Sequence, residues 1–256
     1  MLVQFYDHLA VPETCLLGKR LFKKQFYDNS QLNATDKKAF VEDIDNIEWR
    51  YTLKPSTINI PGFEDENVEY LEVAILQVTL TSGKRHKRIA EVMQKAIPYP
   101  LLILFAWMDD NEEQLVLNVA DKRINRADSN KIVVETNHDT GWINLSQPES
   151  WQEAFLADFQ ITNFSYRNFY TFYQNMVQRI IALNCAKHTG CYVMGSDDNA
   201  MKSNKLEGLR RIDQLQLEKT ELRNKLKKEK NMGTQVQLNM RVKQITDRIE
   251  TIKQIL

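Results

Sequence analysis

The chain reads as an α/β protein, a mixed sheet with flanking helices followed by a C-terminal antiparallel helical hairpin of coiled-coil type. Three observations predict this. "EYLEVAILQVTL" and "PLLILFAW" are apolar strand signals separated by a basic stretch of helical period. "QLVLNVADKRI" and "KIVVET" follow after the polar turn "DDNEE", as an antiparallel extension would. Beyond residue 205, apolar residues return at steps of three and four.

In chain order, residues up to about Tyr51 read as helical. Thr35 is the expected N-cap with Asp36 in the first turn, and Phe40, Ile44, Ile47 and Tyr51 form an apolar stripe. Before it, "GKRLFKKQFYDN" interleaves Lys19, Arg20, Lys23 and Lys24 with Leu21, Phe22, Phe26 and Tyr27. Basic and aromatic residues so mixed can hold single-stranded nucleic acid, or can be a core edge with its solvated flank. "STINI" reads as a short strand ending at the turn pair Pro61-Gly62.

In "EYLEVAILQVTL" apolar residues fall on both parities, so that strand is partly buried on both faces. Ser82-Gly83 then opens a helix whose apolar positions are Ile89, Val92, Met93, Ala96 and Ile97. Its first turn carries Lys84, Arg85, Lys87 and Arg88. Cations at a helix N-terminus oppose its dipole by roughly 0.3–1 kcal/mol each. They call for an anion, either an external phosphate or carboxylates of the chain, for which Glu64, Asp65, Glu66 and Glu69 are the sequence candidates. The continuous apolar run "PLLILFAW" marks a central strand, so strand, helix and strand form a parallel crossover.

From Ser150 to about Lys187 the pattern is helical again, with Phe164, Phe169, Tyr170, Phe172, Tyr173, Met176, Val177 and Ile180 read as core. "CAKHTGC" spaces Cys185, His188 and Cys191 evenly, without the paired spacing of a zinc site, and reads as an ordinary helix end before Gly190. The domain division is an α/β body over 1–195, a polar linker over 196–204 and the hairpin over 205–256. Ile212, Leu215, Leu222 and Leu226 form one side of the hairpin's seam. Leu238, Val242, Ile245, Ile249, Ile252 and Leu256 form the other, with Gly233 between the runs. Two such short helices are marginal alone, so the body, a second copy or a partner is expected to cover their other faces.

Charge narrows the function. The 34 Lys and Arg balance 34 Asp and Glu overall, but residues 202–256 hold 14 basic against 7 acidic side chains. An acidic body with a basic tail points to a tail that meets something acidic. No apolar run reaches the roughly 18 residues of a membrane span, and the first residues lack a signal-type pattern, so a cytoplasmic protein with no membrane contact is expected. Three cysteines do not make a disulfide framework. No phosphate-binding loop, dinucleotide fingerprint, nucleophile elbow or zinc signature occurs, and no cofactor, metal or catalytic residue is assigned.

A nuclease is the enzyme class to weigh. Helix, strands, helix and strand resemble the restriction-type core, which places an Asp and a Glu-x-Lys on adjacent strands around magnesium. Here the second motif would fall at Gln77 and Thr79, with Glu69 and Glu72 at the preceding end. Thr79 is no cation, so such a site would be degenerate.

"KRLFKKQFY", "WRYTLKPSTINIP", "KRIAEVMQKAIPYPLLILF" and "LKKEKNMGTQVQLNMRVKQI" together resemble the bacterial and archaeal family named domain of unknown function 4391, from about Leu9 to the C-terminus. The segment Ile97-Pro98-Tyr99-Pro100 after a basic helix is its most specific part, and Glu229-Lys230 and Leu238-Asn239 also fit. The family has no assigned catalytic residues. The resemblance implies a genomic setting beside DNA methyltransferases and helicases of restriction-like defence loci. It therefore implies an accessory subunit of such a system; with the residues as read, the expectation is a non-enzymatic interaction protein with such a partner, whose basic helix start and basic tail add nucleic-acid contacts.

Overall fold

The computed structural model describes residues 2–29, 32–194 and 199–256. The chain divides into two compact units, Met1–Ile180 and Ile181–Leu256. The sequence places the boundary in a linker over 196–204. Residues 196–198 lie outside those described, and 199–204 open a long helix.

The first unit is built on a mixed seven-stranded sheet. Helix α1 (Leu2–Leu9) precedes edge strand β1 (Leu16–Arg20), and helices α2 (Lys23–Asn29) and α3 (Ala34–Asp43) lead into β2 (Ile44–Leu53). A one-turn helix α4 (Pro55–Ile58) and a small ribbon of β3 (Phe63–Glu64) and β4 (Glu69–Tyr70) come next. Then follow β5 (Val73–Leu80), α5 (His86–Ala96), β6 (Leu101–Asp109), β7 (Glu112–Asn125), β8 (Asp128–Asp139) and β9 (Ile143–Asn144). The order across the sheet is β1-β2-β5-β6-β7-β8, with β9 also on β7. Among the described residues only β5 and β6 pair in parallel, joined through α5, so the expected crossover and antiparallel extension are both present.

The sheet exists because β5 and the first five residues of β6 bury nearly every side chain. Val73 to Leu76 and Leu101 to Phe105 are fully enclosed, the pattern of central strands. On one face Leu76, Val78, Ile103, Phe105 and Val116 pack under Ile89, Val92 and Met93 of α5 and Phe40 of α3. Of the aromatic run expected as core, Phe164, Phe169, Phe172, Tyr173, Met176, Val177 and Ile180 are buried, most of them on α7 (Phe169–Thr189) after α6 (Ser150–Asp158), whereas Tyr170 is half-buried.

Three local expectations are corrected. Residues 44–53 form a strand and not the continuation of a helix. Register shifts between Ile44 and Asn46 and between Trp49 and Tyr51 each change which face the next residue meets. The buried residues Ile44, Ile47 and Tyr51 thereby fall at steps of three and four that imitate a helix, and only Leu53, two residues on, returns to alternation. The cap of α3 is Asn33, whose side chain accepts from the Asp36 N–H, in place of Thr35. "STINI" holds α4 in place of a strand: Pro55 occupies its first turn and Asn59 closes it in the left-handed region at φ 56°.

The second unit contains α8 (Asn199–Lys228) and α9 (Met232–Lys253), joined by a three-residue connection. Asn231 caps α9 by accepting from the Thr234 N–H at 3.1 Å. Gly233 therefore lies within α9 and not in the turn. Ile212, Leu215 and Leu222 bury against Ile245 and Ile249, with Leu238, Val242, Ile252 and Leu256 packed on them. Gly208, early in α8, meets Leu256 and Ile252 at the far end of α9, so the pair is antiparallel.

Candidate functional site

The four cations after Ser82 occupy a 3-10 turn, Gly83–Arg85, and the start of α5. Two are held tightly by α3. Arg85 donates through Nη2 to Asp43 Oδ1 at 2.7 Å and to Glu42 Oε2 at 2.9 Å. Arg88 donates through Nε and Nη2 to the two oxygens of Asp36 at 2.6 and 2.8 Å, and through Nη1 to Glu91 at 2.7 Å. Asp36 and Asp43 are 3% and 4% exposed. The paired Arg88 guanidinium holds the Asp36 carboxyl below the usual carboxylate range. Lys87 reaches Asp139 at 3.7 Å from an exposed position, and Lys84 is exposed with no ion-pair partner among the described residues. The anions that meet the arginines are thus carboxylates of the same unit, and they come from α3 and α5 rather than from Glu64, Asp65, Glu66 or Glu69.

The turn is fixed from behind by aromatic packing. His86, 7% exposed, donates through Nδ1 to the Gly83 carbonyl at 2.9 Å and lies edge-on to Trp142 and Phe105. A Cβ at Gly83 would sit 2.6 Å from Trp107 and 2.8 Å from Trp142. These residues are not visible as a group in the sequence, since they come from α5, β6 and the loop before β9.

The second cationic group lies at the sheet edge. All five residues of β1 are exposed, including Lys19 and Arg20. Lys23, at the start of α2, is spent inside the unit: its ammonium donates to the carbonyls of Val41 and Ile44 at the end of α3, a favourable place for a cation. Lys19, Arg20 and Lys24 have no ion pair among the described residues. The neighbouring rings divide. Phe26 is buried against Phe40, whereas Phe22 is 66% exposed. The side chain of Tyr27 lies outside the described residues. What the sequence reading missed is that Leu16, Leu17 and Phe22 lie open beside the cations. The available signal was "LLGKRLF", two apolar pairs around a cationic centre, too short to show period.

The hairpin's seam residues are where the spacing puts them, except that Leu226 lies outside the buried cluster. Outside the seam, Leu217, Met232, Val236 and Met240 are exposed. The last three fall at intervals of four on α9, one line along the helix.

Where a restriction-type site would lie, Gln77 Oε1 accepts from Tyr6 Oη at 3.0 Å and from Arg50 at 3.5 Å. Arg50 also lies over the Tyr6 ring at 4.1 Å and bonds Glu48. Glu72 pairs with Lys54 at 3.6 Å. Among the described residues, no group of three or more His, Cys, Asp or Glu side chains is placed to hold one metal ion. Cys185 is buried, which pushes its thiol up to about 11, and burial holds the His188 imidazole below its ordinary value. His138 bonds Asp121 at 3.0 Å. No helix among the described residues is long and apolar enough to cross a membrane.

No curated protein and no solved structure matches the chain. A family model does: that of the domain of unknown function DUF4391 matches residues 9–249, nearly the whole length, and the chain belongs to this family.

Proposed function

We propose that the chain is a non-enzymatic interaction subunit that docks on a DNA methyltransferase or helicase of a restriction-like defence system, the exposed Lys84 adding a phosphate contact within the complex. The observation that carries this reading is the hairpin. Its two helices satisfy each other along one seam and leave the line Met232, Val236 and Met240 open. That line runs beside a cationic tip with Lys225, Lys227, Lys228 and Lys230. Apolar groups left in water on a helix pair have a use when another surface covers them. The body supports the same reading, because Asp43, Asp36 and Asp158 are engaged by Arg85, Arg88 and Arg179, and Asp121 bonds His138. Gln77 and Glu72 are likewise already engaged.

The test is recovery of the full-length protein from its own host and identification of what co-elutes. A methyltransferase or helicase is expected, retained by wild type and lost from a Val236→Asp, Met240→Asp variant. Magnesium-dependent cleavage of DNA by the purified chain, abolished by Glu72→Ala or Gln77→Ala, would replace this reading with a nuclease.

A further inference from the structure

We infer that the β1 edge is a second docking site, which takes an extended acidic segment of a partner protein as an added antiparallel strand. The inference rests on the interaction-subunit reading and names the chemistry of one of its contacts. Strand β1 pairs with β2 on one side alone, through Leu16 with Tyr51, Lys19 with Trp49 and Arg20 with Glu48. Its other edge has no strand among the described residues. Open backbone donors and acceptors of this kind are the template for strand addition.

Side chains make the edge selective. Leu16 and Leu17 are 55% and 51% exposed, and beside them runs a groove of about 430 Å3 lined by Leu17, Leu21, Trp49, Tyr99 and Lys54, among others. The groove is held in shape before anything binds. Trp49 Nε1 donates to Thr52 Oγ1 at 2.8 Å, and its ring meets Tyr99 edge-on. An added strand presents alternate residues to one face, so every second side chain could enter that groove.

Charge then identifies the occupant. From Leu16 to Lys24 the chain holds four cations and no carboxylate. Lys23 is consumed by α3, which leaves Lys19, Arg20 and Lys24 free. The nearby carboxylates Glu48 and Glu72 are held by Arg50 and Lys54, and Glu13 stands in the turn before the strand. A second copy of β1 would bring two more cations onto the same five-residue ladder, so like charge opposes self-pairing. Gly18, at φ 59°, carries the register shift between Leu16 and Lys19 and twists the edge away from a flat template. Bulge and cations together discourage indiscriminate pairing, while an acidic, alternately apolar segment gains from the cations and from the groove.

The experiment uses the full-length chain and three fluorescent nine-residue peptides. One alternates Glu with Val, one alternates Lys with Val, and one has the first peptide's composition with its Glu and Val in separate blocks. The alternating acidic peptide is expected to bind, to shift amide resonances of Leu16–Arg20, and to weaken as salt rises. A Lys19→Glu, Arg20→Glu variant should bind it on the order of tenfold more weakly while retaining the wild-type circular dichroism spectrum and melting temperature. Equal binding of the blocked or basic peptide would overturn the inference, as would binding unaffected by the variant or perturbed amides that map elsewhere. Wild-type self-association that disappears in the variant would overturn it too, by assigning the edge to a second copy. Failure here with the host partner still captured through the hairpin would sink the edge alone. Peptide binding with no methyltransferase or helicase recovered would sink the proposed function alone.

Discussion

Replacing Ile249 with Asp tests whether the hairpin is one cooperative unit held by its seam. Ile249 is 4% exposed and packs with Ile245, Ile212, Leu215 and Leu222. Removing its side chain to Ala would cost about 2–5 kcal/mol from lost burial and the remaining cavity. An unpaired carboxylate in the same place adds a desolvation cost of several kcal/mol more. Only five side chains are buried in that cluster, and short helices are marginal without such packing, so the sum exceeds what the seam can hold. The helices should therefore part rather than bury the charge. Hydrogen exchange resolved along the full-length chain is the assay. In the variant, amides of α8 and α9 should exchange as in an open chain, while β5, β6 and β7 keep their protection. Ile249→Val, which costs about 0.5–1.5 kcal/mol, should leave the helices protected. Wild-type protection of α8 and α9 in the Asp variant would refute the seam.

Asp36→Asn should lower stability at neutral pH by about 1 kcal/mol, discounted because Arg88 is partly solvated. The folded carboxyl is held below its unfolded value, so its contribution is present above about pH 4 and fades as pH falls through the lower folded value. Urea titrations should show the difference between wild type and variant shrinking toward acid. Gly83→Ala places a methyl against Trp107 and Trp142 and should cost roughly 1–3 kcal/mol, with a change in tryptophan emission. Lys122 is buried, donates to the carbonyls of Ile97 and Tyr99 at 2.7 Å each, and has its ammonium pushed down to about 7 by that burial. Between about pH 7 and 10 the unfolded chain binds a proton that the native one has released, so stability should rise with pH there. Lys122→Met should flatten that rise in thermal melts, and an unchanged slope would count against the assignment.

Much of the fold was legible because the strongest signals belong to the most buried elements. The run "PLLILFAW" can only be a covered strand or a covered helix, and its length and the prolines before it decide for the strand. The seam of α8 and α9 was legible for the same reason, since a two-helix interface repeats every three and four residues. Strand β2 was not, because its two register irregularities moved the buried residues from alternation to a helical spacing. The candidate surfaces were half legible. Sequence showed which residues are charged, but not that Lys23, Arg85 and Arg88 are consumed by α3 while Lys19, Arg20, Lys24 and Lys84 are free. Exposure of Leu16, Leu17 and Phe22 was equally invisible, since a short apolar run reads as core until the sheet's edge is known.

The oddest feature of the sequence, cations at the start of a helix, is resolved by a second oddity elsewhere. Helix α3 ends on Glu42 and Asp43, carboxylates at the negative end of its own dipole. Each end is unfavourable in isolation, by roughly 0.3–1 kcal/mol per charge. Arg85 joins them, placing its guanidinium against both carboxylates. The backbone reinforces the junction, since the Thr81 N–H donates to the Asp43 carbonyl at 2.8 Å and the Thr81 hydroxyl to that of Glu42. The two wrongly charged termini thereby become one clamp between α3 and the crossover helix. Arg88 closes its other side on Asp36, which lies in the first turn of α3, where a carboxylate is favoured. A phosphate seeking Arg85 or Arg88 must displace buried carboxylates that each make two hydrogen bonds. One seeking Lys84, Lys19, Arg20 or Lys24 displaces only water. External anions are therefore expected at the four free cations, while Arg85 and Arg88 serve the fold.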